Sequence, residues 1–170
     1  MHTKSLLIGL LLLLVIPMKV KAQGAFASEF KSLIGTKYFT KKDITKLNGF
    51  QYTQGIVLGD AINSGPYISM IDVYTKGTSS VVLLSKVIDA TTKQLAIIDI
   101  LKLSKIPKNH ELRISDCQTK NQNPDEVIVA VIKSENKKQV TTIKQAFILK
   151  DIRFQKVETK GILCRNEGID

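Results

Sequence analysis

The chain has 170 residues, 44% of them hydrophobic, which is enough for one sizeable hydrophobic core and too little for several ordinary domains. Its 25 lysines and arginines outweigh 15 acids, giving a formal charge of +10. Nearly all of that charge is lysine, placed singly rather than in a stripe; the arginines are only Arg113, Arg153 and Arg165, and no tryptophan is present to stack on bases. This is the pattern of solvated sheet surfaces, whose edges lysine keeps unpaired, and it argues against a nucleic-acid partner.

Residues 1–22 have the form of an export signal. His2-Thr3-Lys4 makes a short positive start, Leu6 to Ile16 is an almost unbroken apolar run, and Pro17 ends any helix. The run is about half the ~20 residues that a membrane span requires, so no transmembrane helix is expected. Cleavage after Val20-Lys21-Ala22 would leave Gln23 first and remove Lys4, Lys19 and Lys21 but no acid, taking the charge from +10 to +7. No cysteine lies at this boundary, so a lipid anchor is not expected. Residues 23–170 are then a single β-rich domain, periplasmic or secreted.

From Ala25 to Phe39 the spacing of Phe26, Phe30, Leu33 and Ile34 predicts a short amphipathic helix ending near Gly35. Asn48-Gly49 is a turn, Ile56-Val57-Leu58 between Gly55 and Gly59 a short strand, and Asn63-Ser64-Gly65-Pro66 a break. Three β-branched runs follow, Tyr67 to Thr75, Val81 to Ile88 and Leu95 to Leu103, joined by short polar turns that make them antiparallel neighbours.

Tight turns place Leu83 opposite Asp72 and Leu84 opposite Asp99. One face then carries Ile68, Met70, Asp72, Tyr74, Val81, Leu83, Val87, Ala96, Ile98 and Ile100, and the other Ile71, Val73, Val82, Leu84, Ile88, Leu95, Ile97, Leu101 and Leu103. Both faces are apolar. Such a sheet is expected to be covered on both sides, by the N-terminal helix, a C-terminal sheet or a second subunit.

His110 to Asp116 reads as a strand leading into Cys117. With only Cys117 and Cys164 in an exported chain, one disulfide is possible; closing that loop removes on the order of 4 kcal/mol of denatured-chain entropy. Between the cysteines, Val127 to Ile132 is a continuous apolar strand. Val140 to Lys150 fits either a strand or a helical stripe, and its β-branched content favours the strand. Ile152 to Val157 pairs back, and Gly161 to Cys164 closes the sheet. The fold class is mainly β, with α+β the alternative: an antiparallel meander forming a sandwich or partly closed barrel.

Cys117, Pro124-Asp125 before an apolar strand with Ala130, Gln145-Ala146-Phe147, Lys160-Gly161 and Cys164-Arg165-Asn166-Glu167-Gly168 together resemble the C-terminal half of a family of small exported bacterial proteins of unassigned function. Phe147 stands where that family commonly has tryptophan. The resemblance implies the compartment and the fold, and no activity. Leu33-Ile34-Gly35-Thr36-Lys37-Tyr38 is similar to the Gly-x-Trp opening of lipocalins, with Lys37 in place of the tryptophan. Ser64-Gly65-Pro66-Tyr67 is similar to the Ser-Gly loop of periplasmic lysozyme inhibitors, with a different spacing to the tyrosine.

Residues suited to chemistry are sparse. His110 is the one histidine beyond the signal and has no nucleophile elbow or orienting motif around it. Asp72 and Asp99 each sit in an apolar strand, where a raised pKa is expected, but on opposite faces, so they could not flank one bond. Lys86, diagonal to Asp99, could neutralise it. Asp125-Glu126 and Glu167 to Asp170 lack the spacing of a calcium loop, two cysteines fall short of a zinc site, and no metal or cofactor is expected. The leading expectation is a non-enzymatic exported protein that binds a protein, glycan or small apolar ligand. The alternatives are a cell-envelope hydrolase using Asp72, Asp99 or His110, and a structural, homo-oligomeric subunit of an envelope assembly.

Overall fold

The computed structural model describes residues 29–59, 69–120 and 126–166. The expected export signal, the start of the expected helix with Phe26, the Asn63–Pro66 break, Tyr67, Pro124-Asp125 and Glu167–Asp170 lie outside the described residues.

The described chain is mainly β and antiparallel. Its strands are β1 (Lys37–Tyr38), β2 (Gln51–Leu58), β3 (Ser69–Lys76), β4 (Ser79–Asp89), β5 (Gln94–Leu103), β6 (His110–Ile114), β7 (Cys117–Gln118), β8 (Ile128–Lys133), β9 (Gln139–Val140), β10 (Ile143–Lys150), β11 (Arg153–Val157) and β12 (Leu163–Arg165). They form three open sheets. Sheet A has the order β1-β5-β4-β3-β2, sheet B β11-β10-β8-β6, and the small sheet C β7-β12-β9.

Burial on both faces explains why the strands read as continuous apolar runs. Sheets A and B share a core of Ile71, Val73, Val82 and Leu84 from one and Ile114, Val129, Val131 and Leu149 from the other. On the far side of sheet A, Tyr74, Val81, Leu83 and Ile97 pack under Phe30, Leu33, Tyr38, Ile44 and Leu47. On the far side of sheet B, Ile128, Ala130, Ile132 and Ala146 pack under Cys117, Val140, Ile162 and Cys164 of sheet C and its connections. The alternation within β8 is complete: odd-numbered valines face sheet A, and even-numbered residues face sheet C.

The N-terminal cover is not the expected helix. Within the described residues, Phe30 and Leu33 are buried from a single 3-10 turn at Lys31–Leu33, whereas Ile34 is 45% exposed. Gly35 at φ +87 ends the turn, and β1 then pairs with β5, Lys37 opposite Ala96. Two more 3-10 turns, Lys41–Asp43 and Thr45–Leu47, complete the cover. The Asp43 carboxylate accepts the backbone N–H groups of Thr40 and Phe39 at 2.8 Å, which hold it below the usual carboxylate range.

The meander register is as expected where it was anchored, Asp72 opposite Leu83 and Leu84 opposite Asp99. Beyond that point it shifts, because Ser85 pairs with Ile97 and Ile98 has no partner in the ladder. This bulge exchanges the faces of the first half of β5: Ile97 and Leu95 join the outer cluster, and Ile98 faces the inter-sheet core. Hydrophobic pattern alone could not reveal it, since both sides of the bulge are apolar. Ile152 likewise leaves its expected strand for the two-residue turn between Lys150 and Arg153. Asp151 and Ile152 have φ of +50 and +58, a turn of the I′ type.

Candidate functional site

Where β6 forms the edge of sheet B, the two large sheets part into a cleft of about 640 Å³. Its walls are Thr53 and Gln54 from β2, Val73 and Thr75 from β3, Ser80 from β4, the β5–β6 connection at Ile106–Lys108, and His110–Leu112 from β6. Strand alternation turns Val73 and Thr75 to the same side, and the hairpin brings Ser80 opposite Thr75, with the two hydroxyls 3.1 Å apart. Gln54 Nε2 donates to the carbonyl of Leu112 at 3.0 Å, tying the sheets together at the cleft. The connection is fixed by Ile106 N–H donating to Thr78 O and His110 N–H to Pro107 O, each at 2.9 Å. Hydroxyls, an amide, an imidazole and an ammonium therefore converge beside Ile106 and Leu112. Such a lining can hydrogen-bond and cover a polar ligand.

His110 lies in this wall, with Nδ1 2.8 Å from Asn109 Oδ1. Beside it Glu111 accepts from Arg113 Nε at 3.0 Å and Nη2 at 2.8 Å. Neither Asp72 nor Asp99 lines the cleft. Asp99 faces the inter-sheet side, where its carboxylate accepts the Phe154 N–H at 2.7 Å and so links β5 to β11. Asp72 faces the opposite side, as the register requires. The hydroxyl and amide residues of the cleft carried no signal in the sequence: Gln54 and Ser80 lie outside the strands expected there and Thr75 ends one, and only pairing brings them together.

Asp72 has a distinct environment. It is half-buried, and desolvation raises its carboxyl above the usual range. Directly across the ladder stands Gly55, and a Cβ there would meet Tyr52 Oη at 2.6 Å and Asp72 Oδ1 at 2.7 Å. Tyr52 packs edge-on to Tyr74 with centroids 5.8 Å apart. The Tyr38 hydroxyl donates to the buried Ser85 at 2.9 Å, and burial pushes its pKa up to about 12. Burial and the neighbouring Asp72 raise Tyr74 as well.

Cys117 and Cys164 face each other across the β7–β12 ladder with their sulfurs at bonding distance, both fully buried. Among the described residues no group of three or more His, Cys, Asp or Glu side chains could hold a metal ion. No helix among them is long and apolar enough to cross a membrane. No protein-family model, curated protein or solved structure matches this chain.

Proposed function

We propose that the protein is an exported binding protein whose inter-sheet cleft takes a polar ligand of the glycan class. The observation that carries this reading is the cleft itself, about 640 Å³ and lined by Gln54, Thr75, Ser80, Lys108 and His110 beside apolar Ile106 and Leu112. Gln54, Thr75, Ser80 and His110 sit on paired strands, which preorganises them; Lys108 is carried on the β5–β6 connection. Export is supported by the form of residues 1–22 and by the opposed cysteines, which suit an oxidising compartment. Hydrolysis is the weaker reading: of Asp72, Asp99 and His110, only His110 reaches the cleft, and Asp99 is engaged by backbone.

The test is amide NMR of the isotope-labelled protein titrated with soluble envelope oligosaccharides. Saturable shifts confined to Thr75, Ser80 and His110–Leu112, weakened in Gln54→Ala, support the cleft. Release of reducing ends from the same oligosaccharides, lost in His110→Ala, would overturn the non-enzymatic reading.

A structural-subunit role also has an observation in its favour. β2 is the edge of sheet A among the described residues and exposes Tyr52 and Val57. Light scattering of the purified protein distinguishes monomer from assembly.

A further inference from the structure

We propose that Asp72, with Tyr38, Tyr52 and Tyr74 around it on the outer face of sheet A, is a binding site for an organic ammonium group. This site is on the side of the sheet opposite the inter-sheet cleft and is independent of it.

The position of the acid is the first observation. Asp72 lies at mid-strand between Ile71 and Val73, both fully buried on the other face, in a sheet whose remaining outer positions are mostly apolar. Its carboxylate makes no hydrogen bond or ion pair among the described residues. A half-buried carboxylate without a partner is destabilising, and a cation brought to it relieves the desolvation.

The second observation is Gly55. Glycine inside a strand weakens it and marks a place where something else needs the room. Here the space a Cβ would fill is taken by the Tyr52 hydroxyl and an Asp72 oxygen, which converge on it from two sides. The glycine is itself exposed.

The third is aromatic. The chain has four tyrosines, and three of them surround this one acid. Tyr52 is 55% exposed and brings its hydroxyl to the same spot as the Asp72 oxygen, while Tyr38 and Tyr74 are buried beneath. Ring faces attract ammonium through their quadrupole, most strongly where water is thinned. The protein already uses this attraction next door, where Lys41 Nζ stands 5.7 Å from the Tyr74 centroid. Lys41 is tied to the Phe50 carbonyl and makes no ion pair with Asp72 among the described residues, so the carboxylate is left for an external cation.

Carboxylate plus tyrosine faces fits two sources of one chemistry, a small quaternary amine or a lysine side chain of a protein. The experiment titrates the full chain with tetramethylammonium chloride and, separately, N-acetyl-lysine methylamide, against sodium chloride at equal ionic strength, following the Tyr ring resonances. Saturable shifts at Tyr52 and Tyr74 with a roughly millimolar Kd, about tenfold weaker in Asp72→Asn, are the expected result. Binding of tetramethylammonium alone assigns the small amine; binding of both assigns the lysine side chain. Tyr52→Leu, at an exposed position, provides a second weakened variant whose fold does not depend on Asp72. Shifts that rise linearly with concentration, that sodium reproduces, or that Asp72→Asn and Tyr52→Leu leave unchanged would overturn the proposal.

Discussion

Ala130 on β8 stands directly opposite Ala146 on β10, and both are fully buried beneath the Cys117–Cys164 pair. Two methyl groups at this cross-strand position leave the room in which sheet C settles on sheet B, and larger side chains would lift the sulfurs away. Replacement of Ala146 by Leu is therefore expected to destabilise the fold by about 1–3 kcal/mol through overpacking. Urea unfolding with an unchanged m-value measures it; an unaffected midpoint would show that the layer has slack.

Removing the bridge acts through the unfolded chain. The two cysteines are separated by 47 residues, so Cys117→Ala with Cys164→Ala should lower stability by about 4 kcal/mol in the loop-entropy description. Chemical reduction of the unaltered protein should give a comparable fall. Thermal unfolding with and without reductant checks this, and a loss well under ~1 kcal/mol would mean that sheet C is held by Ile162 and Val140 without it.

The β10–β11 turn is strained. Ile152, a β-branched residue, is held at φ +58 and is half exposed, so its side chain contributes little to offset the conformation. Conversion of Asp151-Ile152 to Asn-Gly supplies the residues that an I′ turn favours and should raise stability by about 1–2 kcal/mol. The readout is the thermal midpoint; a decrease would show that Ile152 makes a contact worth more than the strain.

Asp72 has an opposite pH signature from the other perturbed carboxyls. Burial raises it above its ordinary 3.8, so the folded state holds that proton more tightly than the unfolded chain does. Its contribution is fully present below about 3.8 and is lost as pH rises through the raised value. Asp43, Asp89 and Glu135 are lowered by their hydrogen bonds, so their contributions are present above the ordinary values and are lost on acidification. Tyr38 and Tyr74, both raised by burial with Asp72 nearby, remain protonated throughout this window. Asp72→Asn should therefore be more stable than the unaltered protein at pH 7, with the advantage vanishing near pH 3. Denaturant midpoints across that range decide it, and a variant less stable at pH 7 would mean that the charged carboxylate has a stabilising partner.

Much of the architecture was legible because the physics that wrote it is local. Alternating or continuous β-branched runs separated by turn residues located β3 to β5, β8 and β10, and apolar character on both strand faces foretold the two covers. The bulge at Ile98 was invisible because both faces of the meander are apolar around it, and the 3-10 cover was mistaken for a helix because the spacing of three from Phe30 to Leu33 satisfies both, while Ile34 fits only the helix. The cleft was not legible at all. Thr75 and Ser80 become neighbours through a hairpin, but Gln54 and Leu112 meet only through the packing of one sheet on another. The pairing of Asp72 with Leu83 was read correctly, its face only in part because of the bulge at Ile98, and what eluded the reading was the company of Gly55 and three tyrosines.

The pairing of Lys37 with Ala96 sets an order of events in folding. The segment that shields the outer side of the meander comes before it in the chain, yet it has nowhere to dock until the fifth strand is laid down. Phe30, Leu33 and Ile44 must stay in water while that surface is assembled. The N-terminal layer thus closes only after the fifth strand is in place.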